Sequence, residues 1–240
     1  MNKIMNSSLP IRIDVWSDFA CPFCYIGKRR FENALKKFPH KDQVQIIFRN
    51  FELNPDQKRV PGRNKYIQLS EKYGMTIEKA KSVCDNMAKQ AKELGLDYRF
   101  DTMVIGNTND AHRLQKYAQS QGKSDELVEE IMHAYYTDSK DIGDHETLAQ
   151  LAGKVGLDEQ EAKKVLSEGK YSEDVKKDIQ QSRELGVNGV PYFLFNGDLE
   201  ISGAQPEEVF LRALERLWEE KKKKVEKGEG GKCENGACKL

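Results

Sequence analysis

Apolar residues recur along this chain with two different periods. In residues 11–16 Ile11, Ile13 and Val15 alternate with Arg12 and Asp14, a period of two that predicts a strand. Ser17-Asp18 breaks it. Residues 24–38 place Phe31, Leu35 and Phe38 at helical spacing, and Pro39-His40 ends that helix. Residues 44–51, with Val44, Ile46, Ile47, Phe48 and Phe51, read as a second strand that stops at Asn54-Pro55. Strand, helix and strand make a β-α-β unit whose two strands are parallel.

From residue 64 to residue 185 the strand signal vanishes and no proline occurs. Helical periodicity predicts helices over 65–73, 76–94, 110–121, 125–136, 146–155, 158–166 and 173–185, with a loop at 139–144. Thr76, Ser124, Asp144 and Asp158 are expected as N-caps, because short polar side chains accept the free N–H groups of a first turn. Gly74, Gly95, Gly122, Gly156 and Gly186 fall where helices end. The strand signal returns in the run Val190-Pro191-Tyr192-Phe193-Leu194-Phe195. Asn196-Gly197 then predicts a hairpin turn, and 198–202 its second strand. A last helix is expected from Glu207 to about Glu220, with Pro206 in its first turn. The fold class is therefore α/β, a thioredoxin-fold order (β-α-β plus β-β-α) interrupted by a large all-helical insertion. The expected divisions are 10–60, the helical insert 61–186, the second half 187–222, and a flexible charged tail 223–240.

The strand-to-helix junction carries Cys21-Pro22-Phe23-Cys24. A Cys-x-x-Cys pair in a βα context is a thioredoxin-like redox signature. Cys21 would sit at the first helical turn, where free N–H groups and the helix dipole favour a thiolate. The thiolate is the nucleophile. Pro22 suits that turn, having no N–H to leave unbonded. Cys24 lies one turn on, within reach of Cys21. Half of a zinc site, or two buried thiols, are the competing readings, but a zinc site needs a further ligand pair.

Charge narrows little: Lys plus Arg and Asp plus Glu both number 39. The run at 218–227 reads as a solvated helix end. Residues 1–9 show no apolar run of signal-peptide length and no membrane span is read, so a cytoplasmic protein is expected. There, disulfides tend to be transient and catalytic. The five cysteines (Cys21, Cys24, Cys84, Cys233, Cys238) do not form a structural disulfide framework. Cys84 reads as a packed, partly buried thiol beside Val83 and Met87. No phosphate loop, basic stripe or metal-ligand cluster is read in 10–220. No cofactor is assigned, and neither nucleic acid nor membrane is expected as a partner.

Four stretches together resemble the DsbA-like thioredoxin family, in particular its FrnE-like subgroup, which is related to 2-hydroxychromene-2-carboxylate isomerases. They are Asp14-Val15-Trp16-Ser17-Asp18-Phe19-Ala20-Cys21-Pro22-Phe23-Cys24-Tyr25-Ile26-Gly27, Asn107-Thr108-Asn109-Asp110-Ala111-His112-Arg113-Leu114, Gly186-Val187-Asn188-Gly189-Val190-Pro191-Tyr192-Phe193, and Ile201-Ser202-Gly203-Ala204-Gln205. The resemblance spans about residues 10–220. It implies that Pro191 is a cis proline facing Cys21 and Cys24, the alternative being a strand-entry proline in trans. With no N–H of its own, that proline leaves the Val190 backbone open to an extended substrate. It places the helix start at 107–113 along the active-site groove, with Asn107 or Thr108 as cap. His112 there is open to three readings: tuning the Cys21 thiolate, shaping the groove, or forming a plain helix-face hydrogen bond.

The expected activity is thiol–disulfide exchange at Cys21 and Cys24, with Pro22, Phe23, Val190, Asn107 and His112 as substrate-side residues. Expected substrates are proteins bearing thiols or disulfides, with glutathione or a thioredoxin-type reductant as candidate partners. Phe23 supplies no charge or donor, so a milder oxidant is expected than a Pro-His dipeptide would give. A glutathione-dependent isomerase or transferase is the competing enzyme, though it needs no second cysteine. A redox-silent chaperone or binding module is the competing non-enzyme. After a glycine-rich linker (228–232), Cys233 and Cys238 read as a second redox pair, a partial metal site, or a tail without role.

Overall fold

β1 (Ile11–Ser17) leads into α1 (Pro22–Lys37) and then β2 (Val44–Asn50) in the computed structural model, which describes residues 10–226. Seven helices follow: α2 (Lys65–Tyr73), α3 (Ile77–Lys92), α4 (Asn109–Ser120), α5 (Ser124–Tyr136), α6 (His145–Lys154), α7 (Glu159–Ser167) and α8 (Ser172–Glu184). The hairpin β3 (Tyr192–Phe195) and β4 (Leu199–Ser202) and the helix α9 (Glu207–Glu226) complete the fold. The sheet order is β2-β1-β3-β4. β1 pairs parallel with β2, Ile13 opposite Ile46, and antiparallel with β3, Val15 opposite Phe193. This is the thioredoxin arrangement with a helical insertion, as the order of elements predicts. Cys233 and Cys238 lie outside the described residues.

β1 is buried on both faces, so its alternation understates its burial. Ile11, Ile13 and Val15 join the main core, while Trp16 packs with Val187, Tyr192 and Leu194. Asp14 is also buried, and Arg12 (2.8 Å) and Arg49 (2.7 Å) satisfy its carboxylate. On the other face Phe31 of α1 meets Phe193, Phe195 and Phe210, with ring centroids 5.6–6.3 Å apart. That cluster seats α1 and α9 on the sheet. Core residues of the helical insert belong to the same cluster, so the insert shares the hydrophobic core.

Thr76, Asp144 and Asp158 cap their helices, accepting from the N–H groups of Lys79, Thr147 and Glu161. Ser124 does not. It is the first residue of α5, and its hydroxyl accepts instead from Gln115 Nε2 at 2.7 Å. Tertiary packing supplied a better donor than the helix's own backbone. α9 runs to Glu226, beyond the expected end near Glu220, because the Lys/Glu run consists of good helix formers. Arg216–Glu220 and Lys222–Glu219 pairs support it. Cys84 is fully buried rather than partly so. Both turn residues of the hairpin, Asn196 and Gly197, take positive φ, as a tight two-residue turn requires.

Candidate active site

Cys21 is the N-cap of α1, with extended backbone angles, and Pro22 fills the first helical position. Its side chain makes no capping bond. Instead the Cys21 thiol donates to the Val190 carbonyl at 3.3 Å, and the Val190–Pro191 peptide is cis. The cysteines and the proline loop thus meet across the sheet edge although about 170 residues separate them in sequence. Both thiols are free, so the structure is the dithiol. Cys24 lies behind Cys21, 2% exposed.

The two sulfurs divide the chemistry. A hydrogen bond from the Cys24 side chain is the foremost cause holding the Cys21 pKa below its usual value. Burial opposes it, the Cys24 N–H assists it, the Asp18 charge opposes it, and the Phe23 N–H assists it. Burial, followed by the hydrogen bond and charge of Cys21, pushes the Cys24 pKa well up. Cys21 is therefore the more readily ionised of the two thiols, and Cys24 the one held protonated.

Asp18, three residues before Cys21, is fully enclosed. Its carboxylate accepts from the N–H groups of Ala20 (3.1 Å) and Leu53 (2.7 Å), from the Thr108 hydroxyl (2.9 Å), and from His112 Nε2 (3.4 Å). Burial alone would raise its pKa. The hydrogen bond and charge of His112, with the Leu53 and Ala20 N–H groups, more than offset that, and the net direction is down. Asn50 Nδ2 bonds His112 Nδ1 at 3.1 Å from the other side. Two tyrosines of the insert grip the cysteine loop itself: Tyr136 donates to the Phe19 carbonyl (2.9 Å) and Tyr98 to that of Pro22 (2.8 Å). The insert is the buttress of the active-site turn.

Cys21 opens on a cavity of about 660 Å³ between the turn and helices α2 and α3. Phe23, Leu53 and Tyr73 line it and stay exposed, giving an apolar rim. Arg63, Lys65 and Lys72 contribute cations to its wall. Pro22 and Phe23 border this cavity, and Val190 touches the Cys21 sulfur. Asn107 and His112 stand apart from it. Asn107 donates to the Pro55 carbonyl (2.7 Å) and accepts from the Asn109 N–H (2.7 Å), while its neighbours Gly106 and Thr108 line the cavity. Thr108 occupies the N-cap position of α4 but spends its hydroxyl on Asp18. His112 is 2% exposed and sits behind Asp18, to which its Nε2 bonds, away from the cavity. Among the described residues no group of three or more Asp, Glu, His or Cys could hold a metal ion.

Gly27, one turn beyond Cys24, allows α1 to approach the proline. A Cβ there would lie 2.8 Å from Pro191 Cγ, with the Ala204 backbone 3.5 Å away behind it. Gly27→Ala is expected to lower stability by about 1–3 kcal/mol, an overpacking penalty that outweighs the gain of up to about 1 kcal/mol in helix propensity. The urea midpoint of the reduced protein checks this. An unchanged or higher midpoint would show that the proline loop yields freely.

Residues 12–215 match the DSBA-like thioredoxin domain, and the chain belongs to that family. It is similar to the probable DsbA oxidoreductase SCO1869 from Streptomyces coelicolor: 36% identical, TM-score 0.82, covering 96% of this chain and 99% of the other. A 2-hydroxychromene-2-carboxylate isomerase shares the fold at 16% identity and TM-score 0.66, covering 88% and 98%. So does the cytosolic disulfide reductase DsbM from Pseudomonas aeruginosa, solved with GSH, at 13% and 0.61, covering 87% and 99%. The described helices include none long and apolar enough to cross a membrane.

Proposed function

We propose that this DsbA-like protein is a thiol–disulfide oxidoreductase working through Cys21 and Cys24 on protein or small-thiol disulfides, in the cytoplasm. The observation that carries the reading is geometric: Cys21 caps α1, lines the cavity and meets the Val190 carbonyl at 3.3 Å, with Cys24 buried one turn on. The opposed directions of the two pKa values, Cys21 down and Cys24 up, agree with it. In the reducing direction the Cys21 thiolate attacks one sulfur of a substrate disulfide. The substrate S–S bond breaks, a Cys21–substrate disulfide forms, and the departing thiolate takes a proton. The Cys21 charge is now gone, and with it one cause of the high Cys24 pKa. Cys24 loses its proton, attacks Cys21 and expels the second substrate thiolate. The substrate gains two electrons and the enzyme keeps the disulfide. The oxidising direction is the reverse.

The apolar rim of Phe23, Leu53 and Tyr73 suits a polypeptide or another partly apolar thiol. Glutathione is a candidate reductant because the DsbM structure of the same fold holds it. A glutathione-dependent isomerase would need Cys21 alone, and the buried Cys24 bonded to it then has no part. The test is incubation of the reduced chain with glutathione disulfide, followed by peptide mapping. A Cys21–Cys24 disulfide supports exchange with resolution. A stable Cys21–glutathione adduct with Cys24 free would overturn it.

A further inference from the structure

We propose that Lys65 is the counter-ion of the Cys21 thiolate, a positioning residue that sets how much of Cys21 is ionised near neutral pH. The proposal deepens the exchange reading and rests on Cys21 being its nucleophile.

Three lysines among the described residues are buried: Lys28, Lys65 and Lys116. Taking an ammonium out of water is unfavourable unless an anion meets it. Lys28 has Glu32, Asp125 (3.2 Å) and Glu129 (2.9 Å) around it. Lys116 has Asp178. Lys65, 8% exposed, forms no carboxylate ion pair among the described residues. Its Nζ donates to a neutral amide, Gln68 Oε1, at 2.9 Å. Gln68 in turn donates to Gln57 at 3.0 Å, so its orientation is held from outside.

What Lys65 does face is the cavity onto which Cys21 opens. It is the first residue of α2, placed there by the Asn64 cap on Ile67. Four groups from the surrounding elements act on its charge electrostatically, and two of them, Cys21 and Asp18, line the same cavity. Cys21 comes from the start of α1, Asp18 from the turn before it, Cys84 from α3, and the like-charged Lys72 from its own helix. Arg63 lines the same wall but is engaged with Glu71. Asp18 already has four donors around it. Burial pushes the Cys84 thiol up to about 11, so it is neutral near pH 7. Among these groups Cys21 is the one that can present an unfilled negative charge to the cavity. Burial lowers the Lys65 pKa, and a thiolate at Cys21 raises it. The ammonium and the thiolate therefore favour one another, and by linkage each raises the other's ionised fraction.

The arrangement has a consequence for the cycle. When Cys21 enters a disulfide its charge disappears and Lys65 loses that counter-ion. The buried ammonium then favours return of the thiolate form, which is the reduced enzyme.

The experiment uses the full reduced chain and follows alkylation of Cys21 by iodoacetamide against pH, read by mass spectrometry of the Cys21 peptide. Lys65→Met and Lys65→Gln are compared with Lys65→Arg. Both neutral variants are expected to shift the Cys21 midpoint upward by about one unit, a roughly tenfold loss of thiolate at a fixed pH below the midpoints. Lys65→Arg keeps the charge and is expected to restore the native midpoint to within about twofold. A merely structural role would not be rescued in this pattern. If whichever neutral variant folds, judged by its near-UV circular dichroism, titrates Cys21 as the native chain does, the proposal is overturned. Alkylation needs no turnover. A native chain that failed to exchange disulfides would sink the function reading while leaving the Lys65 result legible.

Discussion

Replacing Cys21 by serine is expected to drop disulfide exchange to the uncatalysed rate, while replacing Cys24 by serine leaves the first step intact and stalls the second. The reason is the division of labour between the sulfurs. Among the described cysteines Cys21 alone has both access to the cavity and a depressed pKa. A serine hydroxyl there forms no disulfide. Cys24 is buried and held protonated, so it acts only once the attack has drawn Cys21 into a bond. Cys24→Ser should accumulate a mixed disulfide on Cys21, visible by non-reducing electrophoresis. The serine hydroxyl is a stronger donor than a thiol, so it keeps a hydrogen bond to Cys21 and the Cys21 pKa is expected to stay below its usual value. Insulin reduction with a dithiol recycling agent gives the rates. Residual turnover of Cys21→Ser above background would move the chemistry to another cysteine. Full turnover of Cys24→Ser on a small aromatic substrate would favour the isomerase reading.

Asp18→Asn is expected to remove about 3–5 kcal/mol of stability, the largest effect of any polar substitution near the site. Both carboxylate oxygens are used: Oδ2 accepts from Leu53, and Oδ1 from Ala20, Thr108 and His112. An amide must turn an NH₂ toward one of these donors, leaving buried N–H groups opposed. The variant should also lose part of the acid dependence of stability. The folded-state pKa of Asp18 is depressed, so its contribution is fully present above its unfolded value of about 3.9 and is lost as pH falls from there through the lower folded value. Urea unfolding of the reduced proteins from pH 7 down to about pH 3 tests both points. The two stability curves should converge below about pH 4. Parallel curves would mean that Asp18 is already protonated in the native state. Removing the Asp18 charge also removes one opponent of the Cys21 thiolate, so the Cys21 alkylation midpoint should move down in this variant.

The active-site dipeptide, the strand before it and the hairpin after it were legible because their signals are local. A Cys-x-x-Cys pair at a βα junction, a proline at N1 and an Asn-Gly turn each depend on residues within about one helical turn or hairpin. The same holds for the helices of the insert, whose caps and terminal glycines lie in the sequence beside them. The cis geometry of Pro191 was expected only through the family resemblance, since no local signal distinguishes it from a trans strand-entry proline.

What escaped the sequence are the residues whose role is created by distance. Asp18 reads as a turn-former, and Thr108 as a helix cap; folding brings them together 2.9 Å apart across 90 residues. Gly27 reads as an indifferent helix residue until Pro191 arrives against it. Tyr98 lies in a stretch without helical or strand signal, yet its hydroxyl holds the Pro22 carbonyl. Ser124 reads as a helix cap, but it is the first residue inside α5 and its hydroxyl accepts from Gln115. Lys65 is one of many lysines, and no pattern in the chain marks it as buried on the wall of the cavity onto which Cys21 opens.

By itself, then, the order of periodic segments determined the sheet and the helical insert, and the Cys-x-x-Cys spacing marked the candidate pair, because hydrophobic period, capping and turn chemistry act over short range. Only the tertiary structure decided which sulfur lines the cavity, and which buried carboxylate and which buried cation line it too. Those properties depend on burial and on charges remote in sequence, and an electrostatic environment exists only once the chain has closed around it.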